Sequence, residues 1–146
     1  MTVSADLVEF IKRWEGCSLT EYIDLNGVPT CGWGHANPKN TPWTQEHADQ
    51  ILLDDLNNAA IAIRKYMKRE PNQRQWDAMT SIAYNCGSSV IGNSGLMSRF
   101  NDGDDHRTCL RFLLWDRAGG REVPGLLKRR MAEVQIYQNA DYSGAP

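Results

Sequence analysis

Apolar residues at helical spacing open the chain. Leu7, Phe10, Ile11 and Trp14 share one helix face, Ser4 stands where an N-cap belongs, and Asp6 falls in the favourable first turn. Gly16 suits a left-handed stop just after Glu15. From Leu19 to Trp33 the pattern changes, and Thr, Tyr, Ile, Val and Trp around Asn26-Gly27 predict a β-hairpin. After the loop from Pro38 to Pro42, Thr44 can cap a long helix with Ala48, Ile51, Leu52, Leu56, Ala59 and Ile63 on one face. Pro71 marks its latest end, and roughly 24 residues at helical rise would span about 36 Å, enough to connect two lobes. Asn72 followed by Gln75 is a capping-box variant opening a third helix, with Trp76, Met79, Ile82, Ala83 and Cys86 at core spacing and Gly87 as its stop. Ser88 to Gly95 is expected to be a loop, followed by short helices around Leu96–Phe100 and Asp105–Trp115 and a Gly-rich turn. A last helix should start near Pro124 and bury Leu127, Met131 and Val134, and Asp141 to Pro146 should fray.

Composition narrows the class. With 146 residues, 41% hydrophobic, 23% charged and a formal net charge of −2, the chain has the make-up of one soluble domain with a real core and one cleft. No stretch approaches the roughly 20 apolar residues of a membrane span, so stable membrane insertion is not expected. The start, Met1 to Asp6, lacks the basic and apolar regions of a signal peptide, so the product is expected to stay where it is made. The net charge hides an asymmetry. Arg107, Arg111, Arg117, Arg121, Lys128, Arg129 and Arg130 face only Asp116 and Glu122, making residues 107–130 +5 and the remainder −7. Such a segment can attract an anionic polymer, or simply be a solvated helix face. Cys17, Cys31, Cys86 and Cys109 are scattered through a chain able to form its own core, so reduced thiols are expected. Neither they nor His35, His47 and His106 have metal-ligand spacing, and no metal or cofactor is expected.

The chemistry gathers at the junction of the first helix and the hairpin, where Glu15-Gly16, Asp24 and Thr30-Cys31-Gly32-Trp33-Gly34-His35 follow one another. At the helix C-terminus the dipole disfavours a carboxylate, and Trp14 can exclude water, so Glu15 is placed to stay a protonated acid. A glycoside leaving group needs such an acid, while a better solvated carboxylate holds or activates water. Asp24 fits the second role, and Thr30 could orient the water. Glu and Asp nine residues apart are ordinarily surface charges, and the residues alone go no further.

The spacing Glu, eight residues, Asp, five residues, Thr, followed by Gly-x-Gly-His, resembles the active-site signature of the phage-type lysozymes, the T4-like glycoside hydrolase family of endolysins. Asn72-Gln73, Trp76-Asp77-Ala78 and Ala83-Tyr84-Asn85-Cys86-Gly87 are similar to the family's central helix and cleft turn, and Trp115 to Glu133 to its C-terminal element. The resemblance implies an α+β, mostly α, two-lobed fold: a small β-hairpin lobe, a long connecting helix and a larger helical lobe, forming a single catalytic domain over 1–146 without a separate wall-binding module. It implies a muramidase cleaving the β-1,4 bond between N-acetylmuramic acid and N-acetylglucosamine in bacterial peptidoglycan, inverting, with Glu15 as general acid and Asp24 and Thr30 managing the water. Tyr84 and Asn85 correspond to cleft-lining, substrate-binding positions, and Arg129 or Arg130 should approach Glu15. His35 reads as a structural histidine paired with an acid of the long helix, and Cys17 and Cys31 as small hydrophobes. A monomer is expected, held in the host cytoplasm until another protein breaches the membrane, then acting on the wall.

One geometric conflict bears on this reading. A two-residue Asn26-Gly27 loop would pair Ile23 with Thr30 and turn Asp24 and Thr30 to opposite faces. Joint work at one site therefore predicts a three-residue loop or a bulge near Gly27. Two other readings compete: a cysteine-dependent wall peptidase or amidase using Cys31 or Cys17 with His35, and a non-enzymatic module binding the wall, or nucleic acid through Arg64–Arg69 and Lys128–Arg130. The basic stretches are short and carry no recognised nucleic-acid motif, so nucleic-acid binding is not expected.

Overall fold

A computed structural model describes residues 1–146. Its elements run α1 (Ala5–Trp14), β1 (Ser18–Ile23), β2 (Pro29–Gly32), β3 (His35–Ala36), α2 (Gln45–Arg64), α3 (Gln73–Cys86), α4 (Ser88–Gly92), α5 (Gly95–Asn101), α6 (Asp105–Phe112), β4 (Arg117–Ala118), β5 (Arg121–Glu122) and α7 (Pro124–Asn139). Strands β1, β2 and β3 form one antiparallel sheet, β4 and β5 a separate small hairpin. The sheet sits on its own cluster of Cys31, Trp43 and Ala48, whereas 23 buried apolar residues form the core of the helical lobe. Helix α2 belongs to both, giving Ala48 to the first cluster and Leu52, Leu56, Ala60 and Ile63 to the second. This is the expected two-lobed, mostly helical arrangement with a connecting helix.

Helix starts follow the sequence closely. The Ser4 side chain accepts from the Leu7 N–H and donates its hydroxyl to the buried Asp77 at 2.6 Å. Thr44 accepts from the His47 N–H, and Asn72 and Gln75 make the reciprocal capping box. Helix ends follow it less well. Glu15, with φ −99° and ψ 142°, leaves α1 directly into extended backbone, so Gly16 is not a left-handed stop. Helix α2 stops at Arg64 after 20 residues, about 30 Å, because hydrogen-bonded turns at Tyr66 and Met67 bend the chain well before Pro71. It also buries Ala60 at its face, leaving the predicted Ala59 only half-buried. The predicted loop from Ser88 contains the short helix α4, which buries Ile91. The predicted helix to Trp115 ends at Phe112.

Two expectations for the C-terminal part are overturned. Helix α7 turns Arg129, Arg130, Ala132, Glu133, Ile136 and Tyr137 inward, leaving Leu127 and Met131 exposed. The inward residues keep helical spacing, but three of them are charged, and apolar periodicity therefore selects the wrong face. Residues 141–146 do not fray. The Tyr142 hydroxyl donates to Asp77 at 2.7 Å, and the Tyr142 carbonyl accepts from Arg13. Asp77 thereby ties the start of α1, α3 and the tail together.

The hairpin loop resolves the conflict raised by its sequence. Tyr22 pairs with Thr30 and Ile23 with Pro29, while the Asp24 N–H donates to the Val28 carbonyl at 3.0 Å. Leu25, Asn26 and Gly27 are thus a three-residue loop, closed by Gly27 at φ +78°. Gly27→Ala is expected to lower stability by about 1–2 kcal/mol in denaturant titration, since a left-handed conformation crowds Cβ. Gly16→Ala, in open space at ordinary φ, is expected to be neutral or mildly stabilising. Equal effects at the two positions would contradict this account of the turn.

Candidate active site

Side chains alternate along a strand, so the register that pairs Tyr22 with Thr30 puts Tyr22, Asp24 and Thr30 on the same face of the hairpin. Asp24 is fixed there by its own loop: its Oδ1 accepts the N–H groups of Asn26 at 2.8 Å and Val28 at 2.9 Å. Its Oδ2 has no protein partner. Thr30 is buried, and its hydroxyl donates to the Val28 carbonyl at 2.9 Å, leaving the oxygen lone pairs to accept.

Glu15 stands at the end of α1. Arg129, not Arg130, is its partner, with Nη1 2.8 Å from Glu15 Oε1 and the guanidinium almost fully buried. That cation is a neighbour the helix-end argument did not include. The Gly32-Trp33-Gly34 turn closes over the carboxylate from the small lobe. A Cβ placed on Gly34, whose φ is +98°, would lie 3.8 Å from Glu15 Oε2 and 3.9 Å from the Tyr84 hydroxyl. The left-handed backbone favours glycine here, while the added Cβ would make only ordinary contact with both groups.

Behind Glu15 lies a charged network that the sequence reading missed. Glu133, fully buried, stands 2.8 Å from Arg130 Nε and 3.9 Å from Arg129 Nε, and accepts from the Ser81 hydroxyl. Burial pushes its carboxyl up, opposed by Arg130, Arg129 and the Ser81 hydroxyl. Arg130 also donates to Asn85 Oδ1 at 2.6 Å and to Cys86 Sγ at 3.1 Å. The signal was present as Arg129-Arg130-x-x-Glu133, an (i, i+3) and (i, i+4) charge pattern on one helix face. Two of the seven charges of the basic segment are therefore internal, which weakens the expectation of a wall-attracting surface there.

Asn85, exposed, lines a pocket of about 370 Å³ with Cys86, Trp115, Arg117, Ala118 and Leu126. The Tyr84 hydroxyl donates to the Trp33 carbonyl at 3.0 Å. His35 Nδ1 lies 2.7 Å from Asp55 Oδ2 on α2, the structural pairing foreseen for it. All four cysteines are free thiols. Cys31 is the small core residue expected, its thiol donating to the Ser18 carbonyl, whereas Cys17 is exposed. A nucleophile at Cys31 would have no route to substrate.

Comparison with known proteins identifies the family and the fold. The Phage lysozyme family model matches residues 12–133. The endolysin of Lactococcus phage c2 is 36% identical over 142 residues, covering 94% of this chain and 60% of that protein. The chain thus spans about 60% of the length of that relative. Among solved structures, the endolysin from Escherichia coli O157:H7 phage FAHEc1 superposes with a TM-score of 0.85 at 31% identity, covering 97% of this chain and 96% of that one. The muramidase domain of SpmX from Asticaccaulis excentricus gives 0.85 at 26% identity, covering 94% and 98%. The chain belongs to the phage lysozyme family.

Proposed function

We propose that this chain is an endolysin domain that hydrolyses the β-1,4 bond between N-acetylmuramic acid and N-acetylglucosamine in bacterial peptidoglycan. Glu15 is the general acid that protonates the leaving oxygen. Asp24 Oδ2 and the Thr30 lone pairs receive the attacking water, which reaches the sugar from the opposite side and inverts the anomeric centre. The observation that supports the reading is the three-residue hairpin loop, which sets Asp24 and Thr30 on one face of the hairpin. No metal or cofactor enters the step. The enzyme acts as a monomer, accumulates in the host cytoplasm until the membrane is breached, and then meets the wall.

The competing readings fare worse. Cys31 is sealed in the small-lobe cluster and His35 is engaged by Asp55. Within the stretch proposed for nucleic acid, Arg64 pairs with Glu70 and Arg69 with Asp105, leaving only Lys65 and Lys68 without a carboxylate. No helix is long and apolar enough to cross a membrane.

Product analysis of digested peptidoglycan tests the proposal. New reducing ends on N-acetylmuramic acid, released first as the α-anomer, are expected. New amino termini without reducing ends would overturn it in favour of peptide cleavage, and β-anomer release would overturn the inverting water mechanism.

A further inference from the structure

One hydrogen bond joins residues 17–43, which carry the sheet, to residues 65–146, which make up most of the helical lobe. It runs from the Tyr84 hydroxyl at the end of α3 to the Trp33 carbonyl, 3.0 Å away. Every other bond leaving the sheet region goes to α2: Trp33 Nε1 to Asp49 at 2.8 Å, His35 to Asp55 at 2.7 Å and Gln45 to Cys17 at 3.7 Å.

The acceptor side of this bond is rigid. Asp49 takes Trp33 Nε1 and Gln45 Nε2, each at 2.8 Å, and the Lys12 ammonium of α1 at 3.3 Å. Burial raises the Asp49 carboxyl, but these three donors outweigh it and leave the carboxyl below its ordinary range. Trp33 therefore moves with α2 and the sheet, and a pull on its carbonyl is a pull on the small lobe. The donor side is equally defined. Tyr84 is half-buried, and burial, with Glu15 and Asp55 nearby, pushes its phenol well up, so it stays a donor at any working pH. The residue after Trp33 is Gly34, whose Cα faces both Glu15 Oε2 and the Tyr84 hydroxyl.

We propose that the Tyr84 hydroxyl is a latch between the lobes: a positioning residue that holds the Trp33–Gly34 turn against Glu15 in the closed cleft and releases it when the cleft opens for a glycan. Its consequence for turnover rests on the glycan-hydrolysing reading above; its consequence for lobe distance does not. A ring without the hydroxyl keeps the packing and loses only the bond, so the open population rises by the factor that one such bond controls, about threefold to tenfold.

The test places a spin-labelled p-acetylphenylalanine at each of two exposed positions, Leu25 at the hairpin tip and Leu110 on α6, leaving the native thiols untouched. Electron–electron distance distributions are compared with Tyr84 present and with Tyr84→Phe. The expected result is a longer-distance population that grows threefold to tenfold in the variant, turnover of soluble glycan falling with the closed fraction, and pH–rate limbs that do not move. Identical distributions would overturn the latch, as would a moved acid limb, which would assign the hydroxyl to the Glu15 proton instead. Shifted distances in a protein that cleaves no glycan would uphold the latch and sink the enzymatic reading.

Discussion

Glu15→Gln is expected to abolish bond cleavage while leaving a folded protein. A positioned general acid contributes about 10²–10⁴-fold, and an amide cannot donate the proton that the leaving oxygen needs. The fold should survive, because the amide oxygen still accepts from Arg129 and the guanidinium keeps Glu133 at 3.9 Å. The check is reducing-end release from purified peptidoglycan beside a thermal melt. Retention of more than a tenth of wild-type activity in a folded variant would remove Glu15 from the acid role. Cys31→Ser in the same assay separates the mechanisms, and its activity should equal the wild type, since the Cys31 thiol is closed off behind β1. Loss of lysis only in the cysteine variant would reverse the conclusion.

The role of Asp24 depends on its loop more than on its own chemistry. Asparagine at position 24 could still accept the two loop N–H groups through its carbonyl oxygen, while its NH₂ group replaced the free Oδ2. Accepting a proton from a water through that atom therefore needs the carboxylate, whereas holding the turn does not.

How far the sequence reached can be judged from particular residues. Ser4, Thr44 and the Asn72–Gln75 box announce helix starts because a cap is a local hydrogen bond between residues two or three apart. The hairpin register was partly legible for a different reason: with Asp24 and Thr30 required on one face, either a three-residue loop or a bulge near Gly27 satisfies the pleat, and the chain takes the loop. The choice among long-range partners was not legible. Nothing local to Arg129 distinguishes it from Arg130, yet the rotation of α7 gives Glu15 to the first and Asn85 to the second, residues over 40 positions away. The same rotation hid the inward face of α7. A hydrophobicity pattern assumes that charge points outward, and that assumption fails where a helix carries its counter-ions on its own face. The C-terminal tail was misjudged similarly, because its anchor is a buried aspartate in the middle of α3.

That buried network leads to the second large expected effect. Glu133→Gln should destabilise the protein by about 3–5 kcal/mol, because removing one partner leaves a guanidinium buried without compensating charge. Glu133 is the carboxylate that the two arginines share, and both arginines are at most 5% exposed. With Glu133 uncharged, Arg130 retains only the neutral Asn85 and Cys86 as partners. At about 3 °C per kcal/mol for a chain of this size, the melting temperature should fall by roughly 10–15 °C. Replacing both ends separates charge from packing. If the cost lies in the stranded cation, Glu133→Leu with Arg130→Met should be far more stable than either single substitution, because an apolar pair has no desolvation penalty to recover. Activity distinguishes the network's two possible uses. Arg129 is held by Glu133 as well as by Glu15, so a double variant that regains stability but turns over poorly would mean that Glu133 serves to aim Arg129 at the acid. Recovery of stability and turnover together would mean that the carboxylate serves only to let α7 bury two arginines. A Glu133→Gln melt within 2 °C of wild type would show that water reaches these charges and that the network is not dry.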